Sequence, residues 1–327
     1  MENQQINENE MHVKNEQTSG WERDVLEKLA MAAVTEQRRS RRWGVFFKML
    51  MFIYLIAIGA MAFYPKFEKE FSTDDKKHTA IVDVLGEIAG SEAANADSII
   101  EGLRNALKDK NTKGVILNVN SPGGSPVQAA YVFAEIRRLK EKHPDIPIYA
   151  VVSDICASGA YYIAAAADKI YVSEASMIGS IGVIMNGFGF VNTMEKLGVD
   201  RRLIIAGKHK ALMDPFSATN SEENEHMQTL VNDVHQQFIA AVRQGRGDRL
   251  VETEELFSGL VWTGAQGVKL GLADDFGSID SVARDIIGAK ETRNFTPQEA
   301  LLDKLAGKFG ASFGQALGSA ISGFSMH

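Results

Sequence analysis

The chain has 327 residues, 45% hydrophobic and 24% charged, with a net charge of −7. That is an ordinary globular balance, with room for one large domain or two of common size, and nothing in it suggests the concentrated basic face of a nucleic-acid binder. The single cysteine, Cys156, excludes a disulfide framework, and no Cys/His cluster has zinc-site spacing.

Residues 1–20 are rich in Asn, Glu and Gln and read as a disordered polar tail. Residues 21–34 place Trp21, Val25, Leu29, Ala32 and Ala33 at helical spacing, as a short juxtamembrane helix would. Residues 43–64 form an apolar run whose only charge is Lys48, near one end, where it can snorkel. About 22 residues suffice to cross roughly 30 Å of hydrocarbon. Trp43 and Tyr64 stand at the ends of the run, where interfacial aromatic belts form, and Arg38, Arg39, Arg41 and Arg42 precede it. The arginines predict a cytoplasmic N-terminus and a domain outside the membrane. The rival reading is a cleaved signal peptide ending near "AMA" at residues 60–62. A region of about 42 residues before the apolar run is long for that, since whole signal peptides usually span 15–30 residues.

Beyond a linker at residues 65–75, strand and helix patterns alternate. Residues 78–88 read as a strand, and "NADSIIEGLRNALKD" as a helix starting near Asp97 or Ser98. "GVILNVN" (114–120) is a strand running into "SPGGS", "PVQAAYVFAEIRRLKEK" a helix and "PIYAVVS" a strand. "KIYVSE", "GSIGVIMNGFGF" and an apolar strand in "LIIAG" follow, then a long helix over about 221–246 and helix, strand, helix over 263–289. This order predicts βαβ units and a largely parallel sheet with helices on its faces. Residues 291–327 place Leu305, Phe309, Phe313, Leu317, Ile321 and Phe324 on one stripe and read as a helical tail. The stripe suits packing on its own domain or docking on a neighbouring subunit.

Three loops carry candidate chemistry. In "NSPGGS" (120–125), Gly123 and Gly124 allow a tight turn, with free N–H groups at the following helix start. The motif is weak alone, because Pro-Gly-Gly marks many ordinary turns. In "CASGAYY", Ser158 heads a helix with Gly159 behind it. That pair suits a nucleophile beside an oxyanion donor and equally a plain N-cap. Cys156, two residues upstream, reads as either a thiol nucleophile or a small buried hydrophobe. No histidine has a convincing acidic partner; His209 is the nearest candidate base. Lys208 and Lys210 flank it, and a lysine serves as a base when desolvation or neighbouring charge lowers its pKa. The same run also reads as a solvated loop.

"NSPGG", "DICASGAYYIAAAADKIYVSEASMIGSIGVI", "AGKHKALMDP" and "GLVWTGAQGVKLGLADDFGS", in that order, resemble the signal peptide peptidase A family over roughly residues 76–290. The resemblance implies a membrane-anchored serine peptidase of the Clp/crotonase α/β fold, working with a Ser–Lys dyad and needing no cofactor or metal. It places the nucleophile on Ser158 and the general base on Lys210, with Lys208 as a shifted possibility. It also places a lysine-orienting serine on Ser180 and the oxyanion donors on the backbone N–H groups of Gly124 and Gly159. One catalytic copy per chain resembles the family's short form. It implies a ring-like homo-oligomer with sites shared between subunits, at a bacterial inner membrane, degrading apolar peptides such as signal peptide remnants. The alternatives are a related membrane peptidase acting on misfolded or membrane proteins, a crotonase-type acyl-CoA enzyme, and a catalytically inactive membrane scaffold.

Overall fold

The computed structural model describes residues 35–59 and 76–297, with scattered helical positions between 25 and 32. The polar tail, the linker and the apolar stripe after residue 304 lie outside the described residues.

Helix α1 (Thr35–Gly59) has 25 residues, and its most apolar 18-residue stretch has a mean hydropathy of 1.5 with no buried side chain. At 1.5 Å per residue it is about 37 Å long, long and apolar enough to cross a membrane. It starts upstream of residue 43, so the arginines before the apolar run are themselves helical. Trp43 packs edge-on against Phe46, with ring centroids 5.7 Å apart.

Residues 76–297 form a mixed α/β domain, as the alternating pattern predicts. Its strands are β1 (His78–Leu85), β2 (Thr112–Ser121), β3 (Ile148–Ala157), β4 (Lys169–Val172), β5 (Met177–Gly179), β6 (Val261–Thr263), β7 (Asp275–Phe276) and β8 (Thr292–Asn294). They run in the order β6-β5-β3-β2-β1-β8, with β4 beside the first half of β3 and β7 beside β4. Every pairing is parallel except β5 with β6. The helices are α2 (Ala96–Lys108), α3 (Pro126–Lys142), α4 (Gly159–Ala164), α5 (Val191–Leu197), α6 (Ser221–Arg246), α7 (Gly264–Lys269) and α8 (Ile279–Ser281), the last running into a π-helical turn, Val282–Ile287.

Local chemistry sets the helix starts. Asn95 caps α2 by accepting from the Ser98 N–H at 2.8 Å, just ahead of the predicted start. Ser125 caps α3 and Pro126 occupies its first turn, where a missing N–H costs nothing. Strand alternation then divides the core. Ala80, Val82, Val84, Val115, Leu117, Val119, Ile148, Ala150 and Val152 join the main core with the helices. On the other face Ile116, Val151 and Tyr171 pack under Val282 and Ala283. Closer to the strand ends that second face turns polar, with Asp83, Asn118, Asn120 and Ser153.

Two expectations fail. The segment from residue 291 does not open a helical tail: β8 pairs in parallel with β1. The Thr79 N–H donates to the Glu291 carbonyl at 2.8 Å, and the Phe295 N–H donates to the Ile81 carbonyl at 2.8 Å. An edge of β1 left open would strand those groups. "LIIAG" forms no strand, because residues 203–205 find no partner ladder among the described residues, and Ile204 is 96% exposed.

Candidate active site

The sheet register brings three strand ends to one level. Ser121 pairs with Cys156, and Ala157 pairs with Gly179. Residues 121–124, 157–159 and 179–181 therefore leave adjacent parallel strands side by side, about 4.8 Å apart. The carboxyl ends of strands are where open α/β sheets place their ligands.

Ser158 sits where β3 turns into α4, with φ +52° and ψ −124°. A non-glycine residue held there costs about 1–3 kcal/mol and persists only when its surroundings over-determine it. Its N–H donates to the Gly179 carbonyl at 2.9 Å, and its carbonyl accepts from the Tyr162 N–H at 3.0 Å. Although it occupies the N-cap position of α4, its side chain makes no capping hydrogen bond. The backbone resembles the strained strand-to-helix turn that displays hydrolase nucleophiles.

The glycine loop meets this turn directly. A Cβ at Gly123, where φ is +102°, would lie 2.7 Å from the Ser158 Cβ and from the Gly159 nitrogen. A Cβ at Gly159 would lie 3.3 Å from the Gly124 nitrogen. Gly124 has φ +147°, and a side chain there would collide with the Ile88 backbone. Ile88 holds the loop by donating its N–H to the Gly123 carbonyl at 2.8 Å and accepting from the Ser125 N–H at 2.7 Å. The Gly123 N–H donates to Ser121 Oγ at 3.1 Å. The Gly124 and Gly159 N–H groups have no protein acceptor among the described residues. Two backbone donors without an acceptor among the described residues thus lie beside Ser158, and a tetrahedral oxyanion needs donors of that kind.

Ser180 follows Gly179, across the β3–β5 pairing from Ser158. It too has a positive φ, +50°, and donates its N–H to the Leu260 carbonyl at 2.8 Å. The next carbonyl, of Ile181, lies 3.0 Å from His235 Nε2, which ties this turn to α6. Neither Ile88 nor His235 was legible as a support: Ile88 acts through its backbone, and His235 is one polar residue on a polar helix.

The two lysines lie on the segment ahead of α6. Lys208 Nζ pairs with Glu222 at 2.9 Å, both side chains well exposed, and its hydrogen bond holds the Glu222 carboxyl below its ordinary range. His209 Nδ1 lies 3.0 Å from Glu223 Oε1. Lys210 is exposed and donates its backbone N–H to the Gly207 carbonyl at 3.1 Å. Among the described residues no hydrogen bond or ion pair joins its amine to Ser158 or Ser180. The chain gathers Ser158, Ser180, Gly124 and Gly159 at neighbouring strand ends.

Cys156 is a core residue, fully buried, and burial pushes its thiol pKa up. A thiolate nucleophile there is disfavoured. Among the described residues no group of three His, Cys, Asp or Glu side chains is placed to hold a metal.

The model of peptidase family S49 matches residues 140–293, a range that includes Ser158, Ser180 and Lys210. A protein of Brucella abortus named as a Na(+)/H(+) antiporter NhaA is 38% identical over 203 residues, 62% of this chain and 27% of that protein. A putative signal peptide peptidase SppA of Enterococcus faecium is 36% identical over 198 residues, 59% of this chain and 57% of the relative. The chain thus spans only about a quarter and just over half of these two relatives. A putative protease of Methanocaldococcus jannaschii is 32% identical over 216 residues, 65% of this chain and 68% of that protein. With the matched range, the strand-end loops and a relative of which more than two thirds is covered, the chain belongs to peptidase family S49.

Proposed function

We propose that this protein is a membrane-anchored serine endopeptidase in which Ser158 attacks the peptide carbonyl and Lys210 accepts its proton. The observation that carries the reading is the strained, uncapped Ser158 beside the two free N–H groups of Gly124 and Gly159. Attack on the carbonyl carbon forms the Ser158 Oγ–C bond as the hydroxyl proton passes to the neutral Lys210 amine. The developing oxyanion is held by the two backbone donors. Collapse breaks the C–N bond, and the lysine returns its proton to the leaving amine. Water then releases the acyl group by the same steps. The Ser180 hydroxyl, one strand over, orients the amine, the third-group role of triad logic.

Lys210 is supplied by a neighbouring copy in a ring-like homo-oligomer. The reading is supported by its exposure and by the exposed apolar side chains on the same stretch of chain, Ile184, Phe188, Leu197 and Ile204 among them. Patches of that kind mark interaction surfaces. Helix α1 serves as the anchor, with the N-terminus cytoplasmic and the catalytic domain across a bacterial inner membrane. The substrates are apolar peptides, including signal peptide remnants, as the name of the Enterococcus relative suggests.

Cleavage of a quenched apolar peptide by the full-length protein tests the assignment. Ser158→Ala and Lys210→Ala should each lose roughly 10³-fold or more in kcat, while Lys208→Ala stays within a few-fold of wild type. Chelators should leave the rate unchanged. Wild-type cleavage by Ser158→Ala would defeat the proposal.

A further inference from the structure

Strand β3 does not run straight to Ser158. Val119 pairs with Val152, but the next partners are Ser121 and Cys156. Two steps on β2 thus face four on β3, a two-residue bulge over residues 153–155. At the same point β3 exchanges neighbours, pairing with β4 through Val151 and with β5 from Ile155. Bulges of this sort re-aim the strand beyond them and recur beside active sites.

Side chains replace the interrupted ladder. Asn120 Oδ1 accepts from the Ile155 N–H at 3.3 Å, and Asn120 Nδ2 donates to Asp154 Oδ2 at 2.8 Å. The Asn120 carbonyl accepts from the Gly86 N–H at 2.9 Å. On the far flank the buried Ser176 hydroxyl donates to the Ser153 carbonyl at 2.6 Å and accepts from the Ser173 N–H at 3.0 Å.

We propose that Asn120, its amide oriented by Asp154, is a positioning residue for Ser158: it closes the bulge in β3 and so sets the register of Ser158 against Gly124 and Ser180. The inference rests on the reading of Ser158 as nucleophile. A strand advances about 3.3 Å per residue, and a one-residue slip also turns every side chain to the other face. Small errors in the bulge therefore carry through Cys156 and Ala157 to the hydroxyl. The Asn120–Asp154 bond is exposed, so water can satisfy the same groups when it is lost. Fold stability then depends little on this pair, while alignment of the hydroxyl depends on it strongly.

The test is kcat and KM on a quenched apolar peptide, with melting temperature, for full-length Asn120→Ala, Asn120→Asp, Asp154→Asn and the double variant Asn120→Asp/Asp154→Asn. Ser158→Ala serves as control. Asn120→Ala should lower kcat roughly 10- to 100-fold, the scale of a misplacement near 1 Å, with KM within about twofold and melting nearly unchanged. Asn120→Asp should be impaired as well, since two carboxylates then meet where an amide and a carboxylate bonded. Adding Asp154→Asn exchanges the two groups and should restore kcat to within about threefold of wild type, a non-additive rescue expected only of a directly coupled pair. Wild-type kcat in both Asn120 variants would overturn the proposal, as would a double variant no better than Asn120→Asp. If Asn120→Ala fails to fold, the exchanged pair decides alone. Cleavage that survives Ser158→Ala would instead overturn the nucleophile assignment, and this proposal with it.

Discussion

Residues 148–182 and residues 183–216 follow one another in the chain but are built on opposite terms. The first stretch is the heart of the sheet: β3, α4 and β4 are mostly buried, and Ser158 and Ser180 are fixed by main-chain hydrogen bonds to Gly179 and Leu260. The second carries Lys210 on a segment whose regular structure is one short helix, α5, with no buried residue. Phe188 there is 81% exposed and Leu197 73%. One half of the proposed site is folded by a single chain. The other half is presented outward, in a state that a second copy would complete.

Variants can break that comparison. The largest effect should come from charging the outward half. Phe188→Glu with Ile204→Glu removes no buried packing, so the melting temperature of the subunit should barely move. Assembly and peptide cleavage should both collapse, with kcat falling roughly 10³-fold as the lysine is withdrawn. Sedimentation and peptide cleavage on one preparation check it, and an active monomer would refute the division.

Gly124→Ala strikes the prefolded half. A methyl group at φ +147° would collide with the Ile88 backbone, so the loop must move and take one oxyanion donor with it. The expected loss is about 10²–10³ in kcat, with more than about 1 kcal/mol of stability lost. Rate and urea midpoint report the two parts separately.

Cys156→Ala should do the reverse of a catalytic lesion. The thiol is packed in the core, so the substitution should cost about 1 kcal/mol of stability and leave kcat within a few-fold. A large loss in kcat with unchanged melting would reopen the thiol as a participant.

The smallest effect is at the surface of the helical layer. Arg138 and Arg104 hydrogen-bond the Glu135 carboxyl and outweigh its burial, holding its pKa at about 2. A depressed folded-state pKa contributes stability in full above the unfolded value near 4.5, and that contribution fades as pH falls towards 2. The arginines are half exposed, so screening limits it to about 1 kcal/mol. Melting curves of wild type and Glu135→Gln should therefore differ at pH 6, and the difference should shrink steadily below pH 4.5 and vanish only as the pH falls through about 2.

Much of the prefolded half was legible in the sequence because local signals agree there. Helix α3 begins at the Ser125–Pro126 cap. Helix α6 starts behind Asn220, which accepts from the Glu222 N–H, and stops at Gly247, where φ is +55°. The small residues at 123–124 and 157–159 announced close backbone approach, and the structure places those loops in contact. What stayed hidden depends on distant partners. Strand β8 has three residues with no apolar alternation, and only β1 makes it a strand. The bulge in β3 begins where the strand read from "PIYAVVS" ends, and β3 continues past it to Ala157. "LIIAG" has strand-like residues without a strand to pair with. In the proposed ring Lys210 would belong to the same class, because an encounter between two chains leaves no mark on the folding of one.

The most direct measurement is complementation. Full-length Ser158→Ala and Lys210→Ala, each inactive alone, are mixed, dissociated in detergent and reassembled, with co-assembly confirmed by differential tags. In a ring where each serine meets its neighbour's lysine, about a quarter of the sites in an equal mixture regain both groups, and cleavage should return to roughly that fraction of wild type. No recovery from a demonstrated mixed assembly would contradict a site shared between subunits.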